Sequence, residues 1–164
     1  MKILIAGDYC PIGRTNKYLD EEKYNKLFNG YNQLTNKVDY AVVNFECPIT
    51  TSNIPIDKTG PNLKTNNLNS LKALKFAGFN LLSLANNHIQ DYSGEGVLDT
   101  IKYANNNEFD TVGAGLNTTE ASKSFVKNIK GIRVGFINIA ENEFCAARND
   151  YPGAHVFDFI SNTE

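Results

Sequence analysis

Asn86, Asn87 and His88, with Asp91 three residues further on, are the side chains of this chain best equipped for chemistry. An amide, an imidazole and a carboxylate on one loop can hold a ligand or a metal ion, or move a proton. They follow the apolar run 80–85, which is typical of a strand in a parallel sheet covered on both faces. Ligands bind beyond the carboxyl ends of such strands, so we expect an active site at this loop.

Two other predicted strands end in a similar way. The chain contains 23 asparagines, so an Asn-Asn pair alone indicates little. The first apolar run stops at Asp8, and a later one stops at Glu46, two residues after Asn44. If all three strands are parallel, Asp8, Glu46 and Asn87 lie at one edge of the sheet. Oxygen ligands from several strand ends suit a hard or borderline divalent cation, and a neutral imidazole at His88 can act as a ligand or proton donor.

Four sequence motifs occur in an order that is typical of one protein family. They are Gly7-Asp8 with Arg14, Asn44-Phe45-Glu46-Cys47-Pro48-Ile49-Thr50, Ala85-Asn86-Asn87-His88 with Asp91, and Gly113-Ala114-Gly115-Leu116-Asn117 with Glu120-Ala121. Together they resemble the CapA family, the capsule-synthesis (poly-γ-glutamate) proteins, which belong to the calcineurin-like metallophosphoesterase superfamily. The resemblance runs from residue 1 to about residue 160.

The resemblance implies roles for individual residues. Asp8, Glu46 and Asn87 would be metal-site residues, and His88 would stabilise or protonate the scissile bond. The implied cofactors are divalent metal ions of the Mn, Zn, Fe or Mg type. The implied substrate is a phosphoester or an anionic polymer.

The sequence departs from the superfamily pattern in two places. Superfamily enzymes commonly carry Gly-Asp-x-His at the first strand, whereas Cys10 stands two residues after Asp8 here. A thiolate at Cys10 could bind zinc, or the side chain could be a small packing residue of the loop. The downstream histidine motifs, of the His-Gly and Gly-His-x-His type, are not reached by Glu164. We therefore expect the N-terminal portion of a domain, with a partly encoded site and an exposed sheet edge that favours homo-oligomers.

Four further residues are weighed as members of the site. Arg14 follows the first strand and could grip a phosphate or carboxylate, or form an ordinary surface salt bridge. Glu141 could line the same cleft, whereas Glu143 is better explained as part of a solvated acidic turn. Asp91 could hold His88 in one tautomer or act as a turn residue at a helix entry.

Charge and cysteine content exclude some classes of protein. The formal net charge is −2, with 16 basic and 18 acidic residues spread along the chain, so nucleic-acid binding is not expected. No stretch approaches the roughly 18 apolar residues of a membrane span. The three cysteines lack Cys-x-x-Cys spacing, which indicates reduced thiols that could approach one another around the site. We expect a cytoplasmic protein.

The predicted elements form a single α/β domain over residues 1–164, with a layered, mostly parallel sheet and flanking helices of the calcineurin-like metallophosphatase type, incomplete at its C-terminus. Residues 48–66 form a long loop with three prolines, which favours a lid or binding loop. The predicted strands are 2–7, 39–45, 80–85, one starting at 110, and a hairpin of 125–129 and 132–139. The predicted helices are 20–34 with Asp20 as N-cap, one from Leu68 ended by Gly78, one capped by Ser93, and 119–123; a further helical pattern begins near residue 157.

Two functions compete. A metal-dependent hydrolase of the phosphoesterase type would use two divalent ions, with His88 and Arg14 stabilising the developing charge. A non-catalytic accessory protein of capsule synthesis would bind an extended anionic polymer through Arg14 and the 48–66 loop. An inert truncation product is a third reading.

Overall fold

A four-stranded parallel sheet in the order β1-β2-β3-β4 organises this structure, a computed structural model that describes residues 1–157. The strands are β1 (Ile3–Tyr9), β2 (Tyr40–Phe45), β3 (Leu81–Ser83) and β4 (Asp110–Val112). Each neighbouring pair is parallel. The predicted α/β class and layered, mostly parallel sheet are confirmed, and the architecture is consistent with the calcineurin-like type.

All but the last of the helices connect successive strands of this sheet. They are α1 (Asn16–Asp20), α2 (Tyr24–Leu27), α3 (Tyr31–Thr35), α4 (Asn69–Ala77), α5 (Ser93–Asn106) and α6 (Thr118–Ala121), with one 3-10 turn at Gly13–Thr15. The remaining strands form two antiparallel pairs outside the parallel sheet. One is the hairpin of β6 (Phe125–Ile129) and β7 (Ile132–Phe136), and the other joins β5 (Ala114–Gly115) to β8 (Gly153–Ala154).

The two faces of the sheet are covered by different elements. Side chains alternate between the faces of a strand, so neighbours in sequence enter different layers. Val43 and Phe45 of β2 pack in one apolar cluster with Leu71 of α4. Val42 packs in a second cluster, which includes Phe136 of the hairpin. The parallel sheet therefore lies between a helical layer and the β6–β7 hairpin.

The predicted helix over residues 20–34 is wrong. Three short helices replace it, because Glu22 has a φ of 51° and Gly30 a φ of 85°, and neither angle fits inside a right-handed helix. Asp20 is the last residue of α1 and accepts a hydrogen bond from Asn67 Nδ2 at 2.7 Å, so it is not the N-cap that the sequence predicts. The apolar residues at helical spacing in this segment are distributed over separate turns: Tyr24 and Leu27 lie in α2, whereas Tyr31 and the exposed Leu34 lie in α3.

Other element ends follow the sequence more closely. Gly78 ends α4 in the left-handed conformation, with a φ of 86°, as predicted. The hairpin turns through Lys130 and Gly131, both at positive φ, which confirms the predicted tight turn. Ser93 is the first residue of α5, at a φ of 61°, and the N-cap is Tyr92 rather than the predicted Ser93. The second hairpin arm ends at Phe136 rather than 139, and most of the helical pattern predicted from residue 157 lies outside the described residues.

The strand β1 lies at one edge of the parallel sheet. Its Ile5 side chain is 78% exposed, and no residue of the strand is fully buried. Pairing of two copies through this edge stays a prediction. Within residues 1–157, the helices are all too short or too polar to cross a membrane.

Candidate functional site

Polar side chains from the carboxyl ends of three parallel strands line one open cleft of about 330 Å³. The lining residues are Asp8, Asn44, Glu46, Ala85, Asn86, Asn87, Ala140, Glu141 and Glu143. The structure thus brings Asp8, Glu46 and Asn87 together, as parallel pairing of their strands requires. Glu141 and Asn44 also reach the cleft, and so does Glu143, which the sequence placed in a solvated turn.

A bulge in β1 puts Asp8 on the cleft. Ile5 pairs with Val42 and Asp8 pairs with Asn44, so three steps along β1 match two steps along β2. This extra residue places Asp8 beside Asn44. It also lets Tyr9 pair with Phe45, and the two rings pack edge to face with centroids 5.7 Å apart.

One amide joins the two carboxylates of the cleft. Asn44 Nδ2 donates to Asp8 Oδ1 at 2.8 Å and also to Glu46 Oε2. The orientation of Asn44 is set in turn by Asn86, whose Nδ2 donates to Asn44 Oδ1 at 3.2 Å and to the Phe45 carbonyl at 2.8 Å. Asn86 is buried, so this amide acts as a fixed support below the cleft.

The charge of Glu46 is poorly compensated. Burial raises the pKa of Glu46, and the negative charge of Asp8 raises it further, while His88 and the Asn44 hydrogen bond act in the opposite direction. A side chain that resists ionisation beside a second carboxylate marks a place where a cation would be bound favourably. No lysine or arginine is among the cleft-lining residues in the described part of the chain.

The donors of the cleft fit a divalent cation of the hard or borderline kind. Asp8 and Glu46 supply carboxylate oxygens, Asn87 supplies an amide oxygen, and Glu141 adds a third carboxylate at the rim. Among residues 1–157, histidine, cysteine, aspartate and glutamate form no group of three that could hold an ion by themselves. An ion in this cleft would therefore need amide oxygens as well.

The imidazole of His88 is held from behind by a buried carboxylate. His88 Nδ1 lies 2.7 Å from Asp91 Oδ2, and the backbone N–H of His88 donates to Asn86 Oδ1 at 3.1 Å. The Asp91 side chain is fully buried and also contacts Lys58 Nζ. Lys58 Nζ lies 3.3 Å from His88 Nδ1. The histidine ring is thus fixed at Nδ1. His88 itself is not among the residues that line the cleft, although it follows Asn87 directly.

Cys10 lies among the charged groups of the site. Its thiol contacts that of Cys47, and the hydrogen bond from Cys47 lowers the pKa of Cys10, although burial and the charges of Glu46, Asp91 and Asp8 oppose this effect. The same contact and burial raise the pKa of Cys47. All three cysteines are free thiols. Zinc binding by Cys10 stays a prediction.

Arg14 does not line this cleft. It lies in the 3-10 turn after β1 and lines a separate groove of about 520 Å³ with Gly13, Lys17 and Tyr18. Arg14 therefore shares its groove with a second cation, Lys17, and not with His88.

Sequence reasoning missed Lys58 as a member of the site. A single lysine in a long loop carries no periodic or spacing signal, so nothing short of the fold places it against Asp91. Glu143 did carry a signal, because like Glu141 it follows the predicted strand 132–139, whose end was expected near the cleft.

Comparison with known proteins places the chain in a family. Residues 2–158 match the family described as "Bacterial capsule synthesis protein PGA_cap". The chain is 35% identical over 109 residues to "Capsule biosynthesis protein CapA" of Bacillus anthracis, an alignment that covers 63% of this chain and 26% of that protein. It is 31% identical over 149 residues to "PGA biosynthesis protein CapA" of Bacillus subtilis (strain 168), covering 88% of this chain and 39% of the relative. The chain therefore spans well under half the length of these curated relatives, and it belongs to the PGA_cap family of bacterial capsule synthesis proteins.

Proposed function

We propose that this chain carries part of the active site of a metal-dependent hydrolase that acts on phosphoesters, in the metabolism of a capsule polymer. One observation supports the proposal most directly. Asp8, Glu46 and Asn87 come from separate strands and converge on one cleft, where the two carboxylates share a single amide and receive no lysine or arginine from the lining residues of the described chain.

Each side chain has a role in this proposal. Asp8, Glu46 and Asn87 would hold the divalent ion, which when bound would supply a Lewis acid and an activated water. His88 presents Nε2 to the substrate and stabilises or protonates the leaving oxygen. Asp91 holds the opposite ring nitrogen, so the ring does not have to reorient during the reaction.

Binding of Mn²⁺ to the chelator-treated protein, measured by isothermal titration calorimetry, tests the metal site. We expect D8N and N87A to weaken binding at least tenfold, because each removes an oxygen ligand. D20N is the matched control, since Asp20 is an exposed carboxylate on α1, away from the cleft. Equal affinity in all four proteins would contradict the proposal.

Hydrolysis of p-nitrophenyl phosphate by the Mn²⁺-loaded protein tests the chemistry. We expect H88A to lower kcat by roughly 100-fold while Mn²⁺ affinity stays near that of the wild type, because general acid catalysis contributes about 10²–10⁴-fold. If the loaded wild-type protein shows no turnover of this or other generic phosphoesters, the hydrolase assignment fails.

The groove at Arg14 favours a second function, the binding of an anionic polymer. Two exposed cations, Arg14 and Lys17, line this groove together with Tyr18, outside the cleft. Such a groove suits carboxylate groups along an extended chain. The family name supports a capsule polymer as the ligand.

Binding of poly-γ-glutamate at low salt separates the two functions. The accessory role predicts weaker binding after R14A and unchanged binding after H88A. K72A is the control for general charge loss, because Lys72 is an exposed lysine on α4 that pairs only with the equally exposed Glu22. Equal losses of affinity in R14A and K72A would contradict a specific role of the Arg14 groove in polymer binding.

A further inference from the structure

A second cavity, of about 420 Å³, adjoins the cleft. Glu143 lines both spaces, so they are neighbours. Ile56 and Asp57 of the 48–66 loop line one side of this cavity, and residues of the segment 143–151 line the other. Its volume lies in the range of small-molecule sites, about 300–1,000 Å³. A substrate that reacts in the cleft therefore has room to extend past Glu143.

Arg148 supplies the positive charge of this cavity. Its side chain is exposed and, within residues 1–157, forms no ion pair. The cleft itself is lined by no lysine or arginine of the described chain. Lys58, which lies beside the site, is 3% exposed and already pairs with Asp91. A negative charge on the non-reacting part of a substrate would therefore be compensated at Arg148.

The backbone around Arg148 is held in place on both sides. The Arg148 N–H donates to the Tyr151 carbonyl at 2.9 Å, and the Arg148 carbonyl accepts from the Thr118 N–H at 3.0 Å. The Tyr151 hydroxyl accepts from the N–H of Gly94, near the start of α5, at 3.1 Å. The guanidinium thus extends from a fixed turn, which reduces the entropy lost when it binds a ligand.

The other lining residues indicate what the rest of the ligand carries. Asp57 and Glu143 supply carboxylates, which only accept hydrogen bonds when ionised and so suit hydroxyl groups. Two carboxylates and one guanidinium leave the described lining with an excess of negative charge, which disfavours a polyanion. Phe144 and Tyr151 are 43% and 41% exposed and offer apolar ring surface. The set fits a hydroxylated carbon chain that ends in a single carboxylate.

We propose that this cavity is a substrate subsite in which Arg148 binds a carboxylate, and that the substrates are phosphoesters of hydroxylated carboxylic acids. Guanidinium and carboxylate form a bidentate pair, which gives the contact its specificity. The inference rests on the proposed function, because it names the substrate class of the same site. Addition of water across the ester P–O bond would release the free hydroxylated acid and inorganic phosphate.

6-Phosphogluconate and sorbitol 6-phosphate form a matched pair of test substrates. They share a hydroxylated carbon chain and a phosphoester, and they differ at the far end, where one has a carboxylate and the other a hydroxymethyl group. In the Mn²⁺-loaded wild type, kcat/KM should be roughly 10-fold higher or more for 6-phosphogluconate, as expected for one charged hydrogen-bonded pair. R148M should bring this ratio close to one. R148K should keep part of it, because lysine forms no bidentate pair.

R133M is the control for general charge loss. Arg133 is an exposed arginine on β7 that lines neither the cleft nor this cavity. Its variant should keep the wild-type ratio. Equal ratios in the wild type and R148M would overturn the inference.

Binding of gluconate, which carries no phosphate, tests the subsite without hydrolysis. The chain contains three arginines, Arg14, Arg133 and Arg148, so protein labelled with nitrogen-15 arginine gives three side-chain Nε signals in NMR, and R148K assigns one of them. Gluconate should shift the Arg148 signal until it saturates, sorbitol should not, and the Arg133 signal should stay in place. Equal shifts at Arg133 and Arg148, or no shift at Arg148, would overturn the inference.

The two measurements separate this inference from the hydrolase proposal. A gluconate-dependent shift of the Arg148 signal in a protein that hydrolyses no phosphoester would refute the hydrolase proposal and support a binding site for hydroxylated carboxylates. Turnover of both phosphoesters at equal kcat/KM, without a shift of the Arg148 signal, would refute the subsite alone.

Discussion

Asp91 and the pair of Asp8 and Glu46 are carboxylates around the same histidine, yet their charges are compensated differently. Asp91 is fully buried and receives an ammonium group, an imidazole and a backbone N–H. Asp8 and Glu46 share one neutral amide. The difference shows how to separate a supporting carboxylate from one that awaits a ligand: the first is paired by the protein itself, and the second is left for a cation from outside.

Replacement of Lys58, which pairs with the buried Asp91, should have the largest effect on stability. K58M leaves Asp91 buried without its partner, so we expect the free energy of unfolding to fall by about 3–5 kcal/mol. Urea denaturation measures it. K130M is the control, because Lys130 pairs with Asp39 at the surface and is 70% exposed, so we expect a much smaller loss there. Similar losses in K58M and K130M would contradict the expectation that the buried ion pair stabilises the fold more than the surface pair does.

Binding of Mn²⁺ at Asp8 and Glu46, which share only a neutral amide, should have the next largest effect on stability. Mn²⁺ at a free concentration 100 times its Kd should raise the free energy of unfolding by about 2.7 kcal/mol, since the ion binds the folded state alone. D8N should lose most of this gain. An equal gain in D8N would show that the ion binds elsewhere.

In the metal-free protein, ionisation of Glu46 should lower the free energy of unfolding, whereas Mn²⁺ raises it. Because burial and Asp8 raise the pKa of folded Glu46, the folded state binds a proton there more tightly than the unfolded chain does. Wild-type stability relative to E46Q should therefore fall as the pH rises from the ordinary glutamate pKa through the raised one. Urea unfolding of both proteins in chelator over this pH range checks it, and a difference that is constant or grows in favour of the wild type would contradict the expectation.

The smallest effect should appear at Cys10, which lies near Asp91 and near the pair of Asp8 and Glu46. The pKa of Cys10 is lowered by its hydrogen bond from Cys47, and the side chain is partly exposed, whereas Cys47 and Cys145 are buried with raised pKa values. Iodoacetamide should therefore label Cys10 first, because the thiolate is the reactive form. Peptide mass spectrometry gives the order, and C10S should leave only slow labelling.

The sheet and the cleft were predictable from the sequence because their signals are local. Apolar runs that stop at Asp8, Glu46 and Asn87 indicate strands, and the carboxyl ends of parallel strands share one edge. That rule alone brought three distant residues together. The left-handed turn at Gly78 was also predictable from the sequence, because glycine is favoured in that conformation at the end of a helix.

Features that depend on tertiary context were not predictable. The apolar residues over 20–34 have helical spacing, and nothing in the residue types required a break at Glu22. The break at Gly30 did carry a local signal that the prediction overlooked, because Asn29-Gly30 is typical of a turn. Lys58 reaches Asp91 only because the loop folds back over α5's entry, and a lone lysine gives no sign of such a path. The bulge before Asp8 adds one residue to an apolar run, which leaves the run's appearance unchanged.

That bulge makes residue count more important than residue identity near position 7. A methyl group at Gly7 would meet nothing within 4 Å, so alanine should be accepted. Insertion of one residue at the same place would shift the strand's parity: the new residue would take the position beside Asn44, Asp8 would pair with Phe45, on the side that packs under the helices, and Tyr9 would turn outward. An in-frame gain of one codon would thus abolish the cleft while every functional side chain remained encoded in the gene.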